Sequence, residues 1–168
     1  MKSLENYIQN IPDFPQKGVV FKDISPLLRD HFPQVIEQLI SLRSWDDIDY
    51  IVGIESRGFI LGSALAAQLR KGFIPLRKKN KLPPPVIGID YALEYGHDRL
   101  EIKPYQGSLQ TRPSVVIIDD VLATGGTLRA AIDLCMKAGL EVNDSLVLIN
   151  LSFLHQIPET KFKALFHY

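Results

Sequence analysis

The chain has 168 residues, enough for one domain that buries its own core without disulfide staples. Hydrophobic residues make up 46% and charged residues 23%, which is the composition of an ordinary globular protein. Lys plus Arg and Asp plus Glu balance at 19 each, and a formal net charge of zero argues against a dedicated nucleic-acid binder while leaving room for a local basic patch around a small phosphorylated ligand.

A single cysteine, Cys135, excludes an intramolecular disulfide and a multi-cysteine zinc centre, and fits a reducing compartment. The first residues, Met1-Lys2-Ser3-Leu4-Glu5, lack the apolar stretch of a secretory leader. No apolar run approaches the roughly 20 residues that span a bilayer, so the expectation is a cytoplasmic protein without membrane contact. Internal repeats and low-complexity tracts are absent from the sequence, and the proline cluster Pro83-Pro84-Pro85 is too short to link two domains.

In chain order, residues 3–9 read as a short helix capped by Ser3, and 11–18, rich in Pro and Gly, as loop. Residues 19–21 form a short extended piece leading into Asp23-Ile24-Ser25-Pro26. Over 33–43, Val35, Ile36, Leu39, Ile40 and Leu42 fall at mainly helical spacing, with Pro33 suited to the first turn. Residues 49–54 are an apolar burst of the kind a buried parallel strand shows, 58–70 an Ala/Leu-rich helix, and 73–76 a second strand. Between 86 and 104, charged and apolar residues alternate around Glu94-Tyr95-Gly96-His97-Asp98, which predicts a β-hairpin or a mobile flap. Residues 115–118 are strand, 125–138 a helix closed by Gly139, 145–151 a buried strand and 164–167 a last one. This alternation predicts an α/β doubly wound sheet.

The most informative stretch is Val115-Val116-Ile117-Ile118-Asp119-Asp120-Val121-Leu122-Ala123-Thr124-Gly125-Gly126-Thr127-Leu128. An apolar strand ends in two carboxylates, a loop of small residues follows, and a helix begins. Ligands of α/β sheets bind at the carboxyl ends of strands. Ala123, Thr124, Gly125 and Gly126 let main-chain amides converge on an anion, while Thr124 and Thr127 add hydroxyls. The helix start adds N–H groups and the positive end of its dipole. Carboxylates repel a phosphate, so Asp119 and Asp120 must face another part of the ligand: sugar hydroxyls or a hydrated Mg2+. A phosphate with a cis-diol a few ångströms away is a ribose 5-phosphate. The sequence holds no Gly-x-x-x-x-Gly-Lys-Ser/Thr, so the cradle is not a P-loop.

This string resembles the 5-phosphoribosyl-1-pyrophosphate signature of the type I phosphoribosyltransferases. Three further segments resemble the adenine-specific branch of that family. Gly18-Val19-Val20-Phe21-Lys22-Asp23-Ile24-Ser25-Pro26-Leu27-Leu28 is similar to its N-terminal motif, and Gly53-Ile54-Glu55-Ser56-Arg57-Gly58-Phe59 to its pyrophosphate loop. Arg77-Lys78-Lys79-Asn80-Lys81-Leu82-Pro83, then Tyr91-Ala92-Leu93-Glu94-Tyr95-Gly96, is similar to its flexible active-site loop. The resemblance runs over about residues 11–151, in the expected order. It implies a type I phosphoribosyltransferase fold, with a central mostly parallel sheet flanked by helices. One domain, 1–168, would carry a base-binding hood at about 1–32 and a flexible β-hairpin loop at about 82–104. It implies conversion of adenine and 5-phosphoribosyl-1-pyrophosphate to AMP and pyrophosphate, Mg2+ bound mainly through the substrate rather than by a protein cage, and a homodimer. Two alternatives remain: a phosphoribosyltransferase for another purine (xanthine, or hypoxanthine and guanine), and a regulator that keeps the pocket without catalysis. The Phe21 motif and Leu93-Glu94-Tyr95-Gly96 argue against the first, and the short segment before Gly18 and the neutral charge against the second.

The resemblance also implies residue roles. Phe21 stacks on the base while main-chain groups of Val20 and Lys22 read its edge; Lys22 stands where the family usually has arginine. Glu55, Ser56 and Arg57 form the pyrophosphate loop, with a non-proline cis peptide near Glu55-Ser56. One or more of Arg77, Lys78 and Lys81 reach pyrophosphate. Asp119 and Asp120 anchor the ribose, and Ala123, Thr124, Gly125, Gly126 and Thr127 hold the 5′-phosphate. Glu94 approaches the imidazole side of adenine and manages its proton, and Tyr95 helps close the site. Arg57, Glu94, Asp119 and Asp120 form the catalytic set. Asp23 and Asp30 read as caps or turn residues, His97 as a surface residue, and Cys135 as inert core.

Overall fold

The structure, a computed structural model, describes residues 3–92, 96–107 and 111–168. It divides into two compact units, Met1–Ser41 and Leu42–Tyr168.

In the first unit a 3-10 turn at Leu4–Tyr7 leads into β1 (Gln9–Pro12), which pairs antiparallel with β2 (Val20–Asp23), Ile11 opposite Phe21. The short helix expected over 3–9 is this 3-10 turn, and 13–18 are the expected loop; β1 takes over only the end of the one and the start of the other. Its four residues are all exposed, so no alternation marks them. It ends on Pro12, which a sheet edge tolerates because proline has no N–H to pair. The chain then turns back through Gly18 (φ 89°), whose N–H donates to Asp13 Oδ1 at 2.7 Å. Asp23 Oδ1 accepts the Ser25 N–H (2.9 Å) and hydroxyl (2.6 Å), the expected capping role. It opens α1 (Ser25–Ser41). The helix begins at Ser25 rather than Pro33, with non-helical His31 (φ −137°) marking a kink; Pro33 lacks an N–H and its ring clashes with the preceding turn. The periodic stretch recognised in the sequence is the part after the kink, which buries Val35, Ile36 and Leu39.

The second unit is built on a seven-stranded sheet. β3 (Tyr50–Ile54), β4 (Gly72–Lys78), β7 (Ser114–Leu122), β8 (Glu141–Asn150) and β9 (Lys163–His167) run parallel in the spatial order β4-β3-β7-β8-β9. A hairpin, β5 (Ile87–Ala92) and β6 (His97–Ile102), extends the sheet antiparallel through β6 against β4. α2 (Arg57–Leu69) joins β3 to β4, and α3 (Gly126–Lys137) joins β7 to β8. These match the expected strands, helices and hairpin. β4, β7 and β8 run further than their apolar cores because backbone pairing continues into polar residues.

The central strands are apolar on both faces. Ile51, Val52, Val116, Ile117 and Leu148 are fully buried, and α3 adds Ala131, Leu134 and Cys135. Each such Leu or Ile contributes roughly 1.5–3 kcal/mol. Burial pushes the Cys135 thiol up to about 12, so it stays protonated and inert. α3 stops at Gly139 (φ 89°): its N–H reaches Met136 O (3.1 Å) and the Leu140 N–H reaches Cys135 O (3.0 Å), a left-handed helix end that satisfies the last carbonyls.

Among the parallel strands the chain starts at β3, steps to β4 on one side and then to β7 on the other. β3 and β7 are therefore the strands at which the winding reverses. The crevice beyond their carboxyl ends is where such sheets hold ligands.

Candidate active site at the ends of strands β3 and β7

β3 follows β7 only as far as Gly53 opposite Ile118, whereas β8 stays paired through Leu122 opposite Asn150. Asp119 and Asp120 thus lie within β7, not after it, on a stretch whose β3 side has opened. Successive strand residues point to opposite faces, so the two carboxylates diverge. Asp120 is nearly buried, and its Oδ2 lies 2.5 Å from Arg57 Nη2. The contact is an ion pair without an aligned hydrogen bond to that oxygen. Asp119 Oδ1 accepts the Asp120 N–H at 2.9 Å. Loss of water, then the neighbouring Asp120 charge, raises the Asp119 pKa well above the usual carboxylate range.

The loop after β3 contains the expected non-proline cis peptide, Glu55-Ser56. α2 then starts against β7: a Cβ on Gly58 would lie 2.7 Å from Ile118 O and 3.1 Å from Asp119 Oδ1, so a side chain there would drive helix and strand apart. Glu55 turns the other way, to β4. Its carboxylate accepts from Arg77 Nε (3.0 Å), Arg77 Nη2 (3.3 Å) and the Lys78 N–H (2.8 Å). The Arg77 hydrogen bonds hold the Glu55 pKa below its ordinary value. The Arg77 guanidinium also stacks 5.7 Å from the centre of the Phe59 ring.

The three cations expected at pyrophosphate therefore have different surroundings. Arg77 is engaged by Glu55. Lys78 donates to the Tyr91 hydroxyl at 2.8 Å and ion-pairs with Asp98. Lys81 is exposed, in a turn closed by its N–H on Lys78 O (3.3 Å) and by the Asn80 N–H on buried Glu101 (3.0 Å).

Ala123, Thr124 and Gly125 lead from β7 to the N-terminus of α3, with Gly125 left-handed at φ 83°. No side chain caps this helix start. Its first N–H groups and dipole are thus directed at the loop, as anion binding requires. Two neighbours wall the loop. A Cβ on Gly126 would lie 2.8 Å from Ala92 O, and one on Gly125 would strike Ile157. Ile157 is held in turn: its N–H donates to His155 Nδ1 (3.0 Å), and His155 Nε2 pairs with Asn150 Oδ1 (2.7 Å). Asn150, His155, Ile157 and Asp98 carry no local sequence signal; separations of 20 residues for Asp98 and Lys78, and a return of the chain after β8 for Ile157, bring them in.

Within the first unit, Val20 is exposed and Phe21 and Lys22 are half-buried on β2. The Phe14 ring meets Phe21 edge-on at 5.1 Å. Burial, partly countered by Glu5, lowers the Lys22 pKa. Glu94 and Tyr95 lie outside the described residues. His97 is exposed, and Asp30 pairs with Arg29 on the surface. Among the described residues no cluster of three or more His, Cys, Asp or Glu could hold a metal ion.

This mostly parallel sheet, reversing between β3 and β7, is that of a phosphoribosyltransferase: the family model described as a phosphoribosyl transferase domain matches residues 26–152. An adenine phosphoribosyltransferase of Bdellovibrio bacteriovorus is 49% identical over 156 residues, covering 92% of this chain and 91% of that protein. The crystal structure of adenine phosphoribosyltransferase from Rhodothermus marinus superposes with a TM-score of 0.84 at 40% identity, covering 98% of this chain and 96% of that one. That of the Giardia lamblia enzyme, complexed with 9-deazaadenine, gives 0.88 at 35% identity over the same shares. The chain belongs to the adenine phosphoribosyltransferase family.

Proposed function

We propose that this chain salvages purine by transferring the 5-phosphoribosyl group of 5-phosphoribosyl-1-pyrophosphate to N9 of adenine, giving AMP and pyrophosphate. The observation that carries the reading is the convergence of Arg57, Asp120 and the 123–127 loop at the sheet's reversal point.

The open N-terminus of α3, with Thr124 and Thr127, takes the 5′-phosphate. Asp120 Oδ2, buried without an aligned donor, has lone pairs for a ribose hydroxyl, and Asp119 serves the same sugar. Arg57, Lys78 and Lys81 take the diphosphate. As N9 attacks C1′ and pyrophosphate leaves with inversion, the ribose gains oxocarbenium character, and the two carboxylates supply a fixed negative field beside it. Phe21 stacks on adenine while main-chain groups of Val20 and Lys22 read its edge, and Glu94 accepts or stabilises the proton that the base must give up. Asp119 and Asp120 are hard oxygen donors that suit Mg2+, and an ion held beside them would take its remaining oxygens from the diphosphate and water. Bound there, Mg2+ would neutralise the leaving diphosphate. A cytoplasmic homodimer completes the reading; among the described residues no helix is long and apolar enough to cross a membrane.

The test is pyrophosphate release on mixing the protein, Mg2+ and 5-phosphoribosyl-1-pyrophosphate with adenine, hypoxanthine or guanine in turn. Release with adenine alone is expected; release only with a 6-oxopurine would reassign the substrate, and none with any base would refute the reading.

A further inference from the structure

Lys78 ends β4 beside the loop after β3, and its ammonium is already occupied. The register explains how. Tyr91 and Asp98 face each other across the hairpin, and Lys78 faces Leu100 on β6. Asp98, two residues from Leu100, comes up on the same face as Lys78. Lys78 Nζ ion-pairs with Asp98 and donates to the Tyr91 hydroxyl at 2.8 Å. The other charges nearby have partners of their own: Glu55 holds Arg77 and the Lys78 N–H, and Arg99 turns to Asp90 (3.1 Å) and Glu101 (3.1 Å). The Lys78 and Asp98 side chains are 35% and 28% exposed, so water only partly screens their attraction. Burial draws the Lys78 pKa down, but Asp98 and Tyr91 outweigh it and keep the ammonium charged.

We propose that Asp98 is a stand-in anion for the diphosphate: it holds Lys78 in place, and the diphosphate of substrate or product takes over the ammonium on binding. This rests on the reading of Lys78 as a pyrophosphate ligand. An ammonium has three N–H donors, and Asp98 and Tyr91 use two of them. A carboxylate in contact cancels much of the attraction the ammonium would offer a second anion, and itself repels that anion. Pre-ordering the lysine lowers the entropy lost on binding. The carboxylate charge limits affinity and so eases pyrophosphate release.

Asp98→Asn removes the charge and keeps the shape. Calorimetric titration with sodium pyrophosphate and Mg2+ should show binding about five-fold tighter than wild type, a change that one nearby unit charge can supply. KM for 5-phosphoribosyl-1-pyrophosphate should fall in step, while affinity for AMP, which has no diphosphate, holds. Asp98→Ser serves as a second variant should the first fold poorly. In a Lys78→Met background the Asp98 change should keep only the part of the gain that comes from relieved repulsion, and so tighten pyrophosphate binding clearly less than it does with Lys78 present. Merely structural damage would weaken binding. Unchanged or weaker pyrophosphate binding by a folded Asp98 variant overturns the proposal, as does tightening that is just as large without Lys78. A wild-type protein that neither binds pyrophosphate nor makes AMP defeats the functional reading itself, before Asp98 is in question.

Discussion

Arg57 and Asp120 join the ends of β3 and β7: the guanidinium from the first residue of α2, just after β3, meets the carboxylate within β7 at 2.5 Å. The groups assigned to pyrophosphate and to ribose are therefore one electrostatic unit. Each keeps the other ordered, and on the proposed assignment substrate binding would divide the arginine between carboxylate and diphosphate.

Asp120→Asn should consequently disturb both substrate ends. kcat/KM for 5-phosphoribosyl-1-pyrophosphate should drop by about 10²–10³-fold, the scale of losing one preorganised electrostatic contact. Because Arg57 is 30% exposed, weakening this ion pair should destabilise the protein by only about 1 kcal/mol. Steady-state kinetics beside a melting curve check this. Adding Asp119→Asn should remove most remaining turnover while the fold persists, and unchanged kcat would contradict the assignment.

Asp119 gives a prediction of opposite sign for stability. Its folded-state pKa is raised, by burial first and by Asp120 second. A raised carboxyl stabilises the fold below the unfolded value of about 3.9, and that contribution is lost as pH rises through the folded value. Above the unfolded value Asp119 is therefore a burden on the fold. Asp119→Asn should raise Tm at pH 7, by about 2–4 °C for each kcal/mol relieved, and flatten the pH dependence above pH 4. Activity should fall in the same variant. A lower Tm at pH 7 with the fold intact would show that Asp119 is not strained.

The site was legible where its parts are contiguous. Asp119 to Thr127 is one strand, loop and helix start, and Gly53 to Phe59 another, so residue type and order were enough. Strand length was less so. The apolar run ends at Ile118, but β7 continues to Leu122 because β8 still offers backbone partners, and side-chain pattern does not register a backbone partner. β1 was missed for the same reason, since it is exposed on both faces. Asp98 reaches Lys78 only through hairpin register, and Ile157 reaches Gly125 only after β8 has crossed the sheet. Arg77 and Lys78 read as a basic cluster; that Glu55 and Asp98 each neutralise one of them depends on tertiary approach.

The Gly125–Ile157 contact can be tested as a cycle. Alanine at 125 must adopt φ 83°, which costs about 1–2 kcal/mol, and its Cβ must displace the end of the Ile157 side chain. Gly125→Ala should lower Tm and raise KM for 5-phosphoribosyl-1-pyrophosphate roughly ten-fold by shifting the amide cradle. Ile157→Ala alone loses partial packing. Together the two should be less destabilising than their sum, by about 0.5–1 kcal/mol, because the smaller residue makes room for the new methyl. The backbone term should remain. Strict additivity would mean that Ile157 does not bear on the loop.

Base selectivity tests the first unit separately from the phosphate machinery. Val20 and Lys22 are two apart on β2, so their backbone N–H and C=O groups leave the strand on the same side. Adenine presents an N6 donor next to an N1 acceptor. A main-chain carbonyl suits the first, and a main-chain N–H the second. Hypoxanthine puts O6 where N6 stood, setting acceptor against carbonyl, and mispaired buried polar groups can reject an analogue by about 10⁴-fold. kcat/KM for hypoxanthine should fall below that for adenine by a factor of this order. With main chain doing the reading, as proposed, Lys22→Ala should leave the ratio within about three-fold, although it removes the side-chain charge. Phe21→Ala should weaken both bases together, since stacking is indifferent to the exocyclic group. A Lys22→Ala variant that admits hypoxanthine would transfer the selectivity from the backbone to the lysine side chain.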